Sequence, residues 1–231
     1  MSSLSHNMEH RTMIKSWSYS RIREFNRCPY ALYLSAIKGV KPESSPVLER
    51  GTRIHKTIET YIKKGSHDQI NELSPKHVQL FDLLHSKIPD VHLEEEWGFD
   101  IHWTPAPWKS AWVRIKVDAI YIEGTTAFIY DWKTGKSLDK QFETARQAQL
   151  YAVGTLHRFH NVRQFYVFFV YVDEDKEISY SYTDDMVRRF QKTWENKGNA
   201  LTQASTFPPR PSKNNCKYCS VRNQCEWNQA E

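Results

Sequence analysis

Between Trp112 and Lys133 apolar residues recur on a period of two: Val113, Ile115 and Val117, then Ile120 and Ile122. After Gly124 a second β-rich run begins at Phe128 and Ile129. Two strands joined at Gly124 make a hairpin. With Gly124 at the first central position of a type II′ turn, Glu123 pairs with Thr126, and counting back sets Asp118 opposite Asp131. The stretch SYSRIREFNRCPYALYLSAIKG predicts a serine-capped helix from Ser18 with Ile22 and Phe25 on one face, interrupted at Pro29 and stopped at Gly39. VLERGTRIHKTIETYIKKG predicts a helix of about four turns, and a second helix is expected over Pro75–Ser86. VHLEEEWGFDIHW suggests the first strand, with Glu94 and Glu96 on one face; either could be a supporting acid, but both are read as a solvated strand face and kept out of the core site. QFETARQAQLYAVGTLHRF carries a helical period. FYVFFVYVD reads as a buried central strand, EISYSYT as an edge strand, and a last helix is expected from Asp184 to about Ala200. The prolines of FPPRPS then break regular structure.

Facing residues of an antiparallel pair lie about 4.5 to 5.5 Å apart at Cβ, where like charges destabilise. Asp118 and Asp131 sit inside apolar runs, KVDAI and IYDWK, so their repulsion needs an offset. A hard divalent cation such as Mg²⁺ provides one. Lys133, two residues past Asp131, projects from the same strand face. The alternative is a register one residue off, with both acids solvated on a polar face.

The 231 residues, 39% of them hydrophobic, suffice for one ordinary core with small appendages, and the net charge of +5 permits a polyanionic partner. No apolar run approaches the roughly 20 residues that cross a bilayer, and MSSLSHNMEHRTMIK carries no signal-like apolar segment, so an intracellular, cytoplasmic protein without membrane partners is expected. Residues 1 to about 15 read as a mobile tail. In such a compartment four cysteines point to metal rather than disulfides. Cys28 stands alone, whereas Cys216, Cys219 and Cys225 form C-x2-C-x5-C; spacing alone leaves zinc and iron-sulfur both open. Trp103, Trp108 and Trp112 could stack unpaired bases or simply fill the core. Gly51 and His55 fall at i and i+4 on one helix face, as do Gln147 and Tyr151. A glycine inside a helix costs about 1 kcal/mol and suggests close packing by a backbone or ligand.

The pattern VDAIYIEGTTAFIYDWKTGK resembles the core of the PD-(D/E)xK nuclease superfamily, in its RecB-like branch, without the leading proline. The landmarks run in order from Cys28 to Cys225. The resemblance implies an α/β (α+β), restriction-endonuclease-like core, a mixed central sheet flanked by helices, over residues 16–207. It implies that Gly-x-x-x-His brings His55 into a Mg²⁺ or Mn²⁺ shell with Asp118, Asp131 and the Trp132 backbone carbonyl. Lys133 then serves catalysis, and Gln147 and Tyr151 of the Gln-x-x-x-Tyr motif line the site and contact DNA. Cys28, Cys216, Cys219 and Cys225 resemble the 4Fe-4S ligands of AddB-type and CRISPR-associated nucleases, with 208–231 closing on Cys28. For a disulfide, closing so long a loop would contribute roughly 5 kcal/mol, so a metal staple is expected.

The function implied is an exonuclease for single-stranded or end-resected DNA, with a flap or end-trimming endonuclease next. It would act in recombination, repair, CRISPR adaptation or viral genome processing, alongside proteins of those pathways and, for a virus-encoded chain, in the host cytoplasm. A non-catalytic DNA-binding protein and a zinc-stabilised interaction module are the competing classes.

Overall fold

The computed structural model describes residues 13–65, 73–137 and 140–230. In chain order the elements are α1 (Tyr19–Arg27), α2 (Pro29–Ala36), α3 (Pro46–Lys64), α4 (Pro75–Ser86), β1 (His92–Phe99), β2 (Val113–Glu123), β3 (Thr126–Lys133), α5 (Gln141–Arg158), β4 (Gln164–Tyr171), β5 (Lys176–Thr183), α6 (Asp184–Thr202) and α7 (Lys213–Lys217). Residues 1–12, most of the expected tail, lie outside the described residues. Among those described, no helix is long and apolar enough to cross a membrane.

The strands form one mixed sheet in the order β1-β2-β3-β4-β5, with β3 and β4 parallel and the other neighbours antiparallel. Parallel neighbours need a crossover, and α5 supplies it. As expected, β4 is interior and β5 is an edge strand. Gly124 takes φ +60° while Thr125 is not in the positive-φ region, as a type II′ turn requires and a type I′ turn forbids. The turn sets Glu123 against Thr126, and the counted register holds through Ala119↔Tyr130.

Helices cover both faces of the sheet. On one, Ile54, Ile58, Tyr61 and Ile62 of α3 recur at the spacing of an apolar stripe and pack with Phe81 and Leu84 of α4 against Ala119, Tyr121, Tyr130, Trp132 and Val170. Each isoleucine, leucine or phenylalanine so buried contributes about 1.5–3 kcal/mol. Ser45 and Ser74 cap the two helices, and Gly65 ends α3 in the left-handed conformation. On the other face α5 approaches closely: a Cβ on Gly154 would lie 2.6 Å from Ile115 Cδ1. Tyr151 of α5 stacks on Phe169 of β4 with ring centroids 6.3 Å apart. The fold is therefore α+β, with a mixed five-stranded sheet flanked by helices.

By its internal contacts the chain divides into two compact units, Ser44–Asn196 and a unit made from Met1–Glu43 with Lys197–Glu231. The 16–207 and 208–231 division expected from the sequence cuts the chain differently, because α1 and α2 group with the cysteine segment. In that unit Ser18 caps α1 and accepts from the Arg21 N–H. Cys28 is extended at φ −155°, which ends α1 and places Pro29 at the start of α2. Ala31, Leu34 and Val221 form its buried cluster, with Cys28, Cys219 and Cys225 packed against it.

Candidate active site

The β2–β3 ladder ends at Ala119↔Tyr130, and the next position on each strand is an aspartate. Beyond it β3 stays paired with β4 through Lys133↔Tyr171. The Trp132 N–H donates to Asp118 Oδ2 at 2.8 Å. Asp118 is 6% exposed and Asp131 4%, so both acids sit where an uncompensated charge is costly. The solvated-face alternative is thereby excluded.

Asp131 Oδ1 accepts from the Tyr151 hydroxyl at 2.5 Å and the Gln147 amide at 3.1 Å. Lys133 Nζ lies 2.6 Å from Asp131 Oδ2, off the direction of a hydrogen bond, so that buried oxygen has an ion-pair neighbour but no aligned donor. Gln147 ties the group together: its Oε1 accepts from Lys133 at 3.1 Å and its amide also donates to Tyr151 Oη at 2.7 Å. The i, i+4 spacing on α5 thus delivers both side chains to Asp131. Burial and the Asp131 charge push the Tyr151 hydroxyl well above its ordinary range, which keeps it a proton donor.

His55 Nδ1 of α3 stands 3.4 Å from Asp118 Oδ1. Burial, and then the charge of Asp131, push the Asp118 carboxyl up, against the opposing pull of His55 and the Trp132 N–H. Burial pulls His55 down, yet its hydrogen bond to Asp118 and the surrounding negative charge outweigh it, so His55 is raised. Asp118 and His55 therefore each hold a proton more tightly than they would alone.

Glu94 lies beside this group, as the supporting-acid reading of the strand allowed, rather than on a fully solvated face. The β1–β2 ladder runs His92↔Ile120 and Leu93↔Ala119 and resumes at Glu95↔Val117, so by the same count Glu94 faces Asp118 in the gap. Glu94 has φ +53°, which for a non-glycine residue costs about 1–2 kcal/mol. Ligand atoms of His55, Glu94 and Asp118 all lie within 4.8 Å of one another.

Other expectations resolve differently. A Cβ on Gly51 would meet Thr134 Oγ1 at 3.4 Å, an ordinary side-chain contact, so no backbone forces that glycine. Trp103 is 2% exposed and stacks on His157, which makes it core rather than a base platform. Cys28, Cys216, Cys219 and Cys225 line one small cavity with Asn215 and Trp227. Burial pushes the Cys219 and Cys225 thiols up, and for Cys225 the nearby Cys28 and Cys216 add to it.

Two buried carboxylate oxygens without hydrogen-bond donors, Asp131 Oδ2 and Glu94 Oε1, fit the chemistry of a hard divalent cation. Residues 16–226 match the model of the PD-(D/E)XK nuclease superfamily, whose members hydrolyse nucleic acids and use divalent metals. Among solved structures that resemble the chain, one is a protein from Eubacterium rectale described as a candidate exonuclease. It shares 12% identity at a TM-score of 0.54, over 99% of this chain and 96% of the other. Another, SSO0001, shares 16% identity at a TM-score of 0.47, over 93% of this chain and 87% of the other. No curated protein matches the chain.

Proposed function

Because the chain belongs to the PD-(D/E)XK nuclease superfamily, we propose that it is a metal-dependent deoxyribonuclease, an exonuclease that removes nucleotides from single-stranded or end-resected DNA. The observation that carries this reading is the buried Asp131, whose Oδ2 has Lys133 Nζ at 2.6 Å and no aligned donor. Asp118, Asp131, His55 and the Trp132 carbonyl would hold Mg²⁺ or Mn²⁺. A cation bound there supplies Lewis acidity toward the phosphate and lowers the pKa of water. Lys133 orients the attacking water or stabilises the charge that develops on the phosphoryl oxygens. Gln147 and Tyr151 fix Asp131 and Lys133 relative to each other. Their hydrogen bonds go to catalytic side chains, so positioning that machinery is their first role, with contact to the strand a further one.

Cys28, Cys216, Cys219 and Cys225 would hold a 4Fe-4S cluster, a reading supported by the cavity that all four line. A cluster there supplies a covalent staple between the two ends of the chain. Intracellular DNA processing in recombination, repair, CRISPR adaptation or viral replication is the setting this activity suits.

The test is anaerobic purification followed by digestion of single- and double-stranded DNA labelled at either end, with Mg²⁺ or Mn²⁺. Progressive shortening from one end supports the exonuclease. A fixed product near a junction assigns a flap or end-trimming endonuclease instead, and binding without metal-dependent products would leave the DNA-binding reading.

A further inference from the structure

We propose that Arg50 and Asp173 are positioning residues that fix the helix bearing His55 against the end of the strand bearing Asp131 and Lys133. The inference rests on the reading of those three side chains as parts of one catalytic cation site, and it names what holds the two halves of that site together. Asp173 lies just past β4 and meets both halves. Its Oδ1 and Oδ2 accept from Nη2 and Nη1 of Arg50 on α3, at 2.7 Å and 3.0 Å. Its Oδ2 also accepts at 2.6 Å from the N–H of Gly135, two residues beyond Lys133. The flanking residues continue the attachment: the Val172 N–H donates to the Lys133 carbonyl at 3.0 Å, and Glu174 Oε2 accepts from the Ser137 N–H at 2.7 Å. Three consecutive residues thus hold the chain at Lys133, Gly135 and Ser137, and the side chain of the middle one also grips α3.

An exposed ion pair stabilises little, but a bidentate one between guanidinium and carboxylate fixes distance and direction together. The Arg50 side chain is 38% exposed and that of Asp173 25%, so the pair acts through geometry more than through stability. Its hydrogen bonds from Arg50 hold the Asp173 carboxyl below its ordinary range, which keeps it an anion at neutral pH. His55 follows Arg50 by five residues on the same helix, about 7.5 Å along the axis. A shift of α3 at Arg50 is therefore carried to His55 and its 3.4 Å approach to Asp118. Next to Arg50, a Cβ added to Gly51 would lie 3.4 Å from Thr134 Oγ1, so the helix and the segment after Lys133 run side by side. A misplacement of about 1 Å in such a site costs on the order of a hundredfold in rate.

The experiment uses the anaerobically purified full chain and three readouts: Mn²⁺ binding by calorimetry, single-turnover cleavage of end-labelled single-stranded DNA in saturating Mn²⁺, and melting temperature in EDTA. It compares the parent with Asp173→Ala, Arg50→Met, the double variant and, as a reference, Asp118→Asn. Each single variant should bind Mn²⁺ about tenfold more weakly and cut at least about tenfold more slowly, with the Kd for DNA unchanged and melting within a few degrees of the parent. The double variant should fall no further than Asp173→Ala, because both changes remove one contact. Parental Mn²⁺ affinity and cleavage rate in either single variant overturn the assignment, even where melting drops, since a purely structural tie moves melting alone. Additive losses in the double variant overturn the pairing of Arg50 with Asp173. If the single variants behave as the parent while Asp118→Asn loses Mn²⁺, the cation site stands without this clamp. If the parent binds no Mn²⁺, or Asp118→Asn binds it as the parent does, the cation site falls and the clamp falls with it.

Discussion

Lys133→Met removes the ammonium 2.6 Å from Asp131 Oδ2 and keeps the apolar stem. Asp131 is 4% exposed and is left with donors on Oδ1 only, so the variant buries a carboxylate that has lost its counter-charge. Breaking a buried ion pair on one side costs about 3–5 kcal/mol. The Lys133 side chain is 29% exposed, and solvent screening brings the expected loss to about 2–3 kcal/mol. For a domain of this size that is roughly 5–10 °C in melting temperature without metal. A divalent cation should then replace the missing positive charge, and it no longer competes with an ammonium for the same oxygen. Saturating Mg²⁺ should therefore recover most of the deficit, although DNA cleavage stays lost. Differential scanning calorimetry in EDTA and in Mg²⁺ measures both effects. A deficit that Mg²⁺ leaves unchanged would refute the placement of the cation at Asp131.

Tyr151→Phe deletes the 2.5 Å hydrogen bond to Asp131 Oδ1. Hydrogen bonds to charged groups contribute about 1.5–3 kcal/mol, so kcat should fall roughly 10- to 100-fold with KM for DNA little changed, in steady-state kinetics. Asp118 and His55 both have raised proton affinity, and a cation can enter only as those protons leave. Mn²⁺ affinity should therefore strengthen as pH rises and weaken as it falls through the range where His55 takes up its proton, which titrations at several pH values will follow. Substituting Cys28, Cys216, Cys219 or Cys225 by serine should remove the absorption near about 400 nm expected of an iron-sulfur cluster and lower the melting temperature. Iron and sulfide analysis of the parent distinguishes that cluster from zinc.

What could be read from the sequence was what local rules determine. A glycine at the hairpin turn sets the register by steric necessity, and the strict two-residue period then carries it to Asp118 and Asp131. The i, i+2 spacing put Lys133 beside Asp131, and the i, i+4 spacing put Gln147 and Tyr151 together on α5. That these two side chains line the site came from the family resemblance and not from local rules, because their partners on β3 are set by how closely α5 packs through Gly154. Glu94 could not be told from Glu96, nor a supporting acid from a solvated one, for a related reason. A run of three glutamates has no hydrophobic phase to read, and a left-handed residue in mid-strand follows from tertiary constraint rather than propensity. Trp103 was left open between ligand platform and core because indole serves either, and only its stacking on His157 decides. The closing of the cysteine segment on Cys28 was expected from the resemblance alone; that α1 and α2 group with that segment depends on contacts between distant parts of the chain, which no local pattern encodes.

The central claim is that Asp131 and Lys133 act together with a divalent cation to cut DNA. Single-turnover cleavage of end-labelled DNA in Mg²⁺, by the parent and by Asp131→Ala and Lys133→Ala separately, tests it most directly. The account predicts cleavage by the parent that EDTA abolishes, and a loss of at least about a thousandfold in each variant. Parental rates in either variant, or cleavage that survives EDTA, would contradict it.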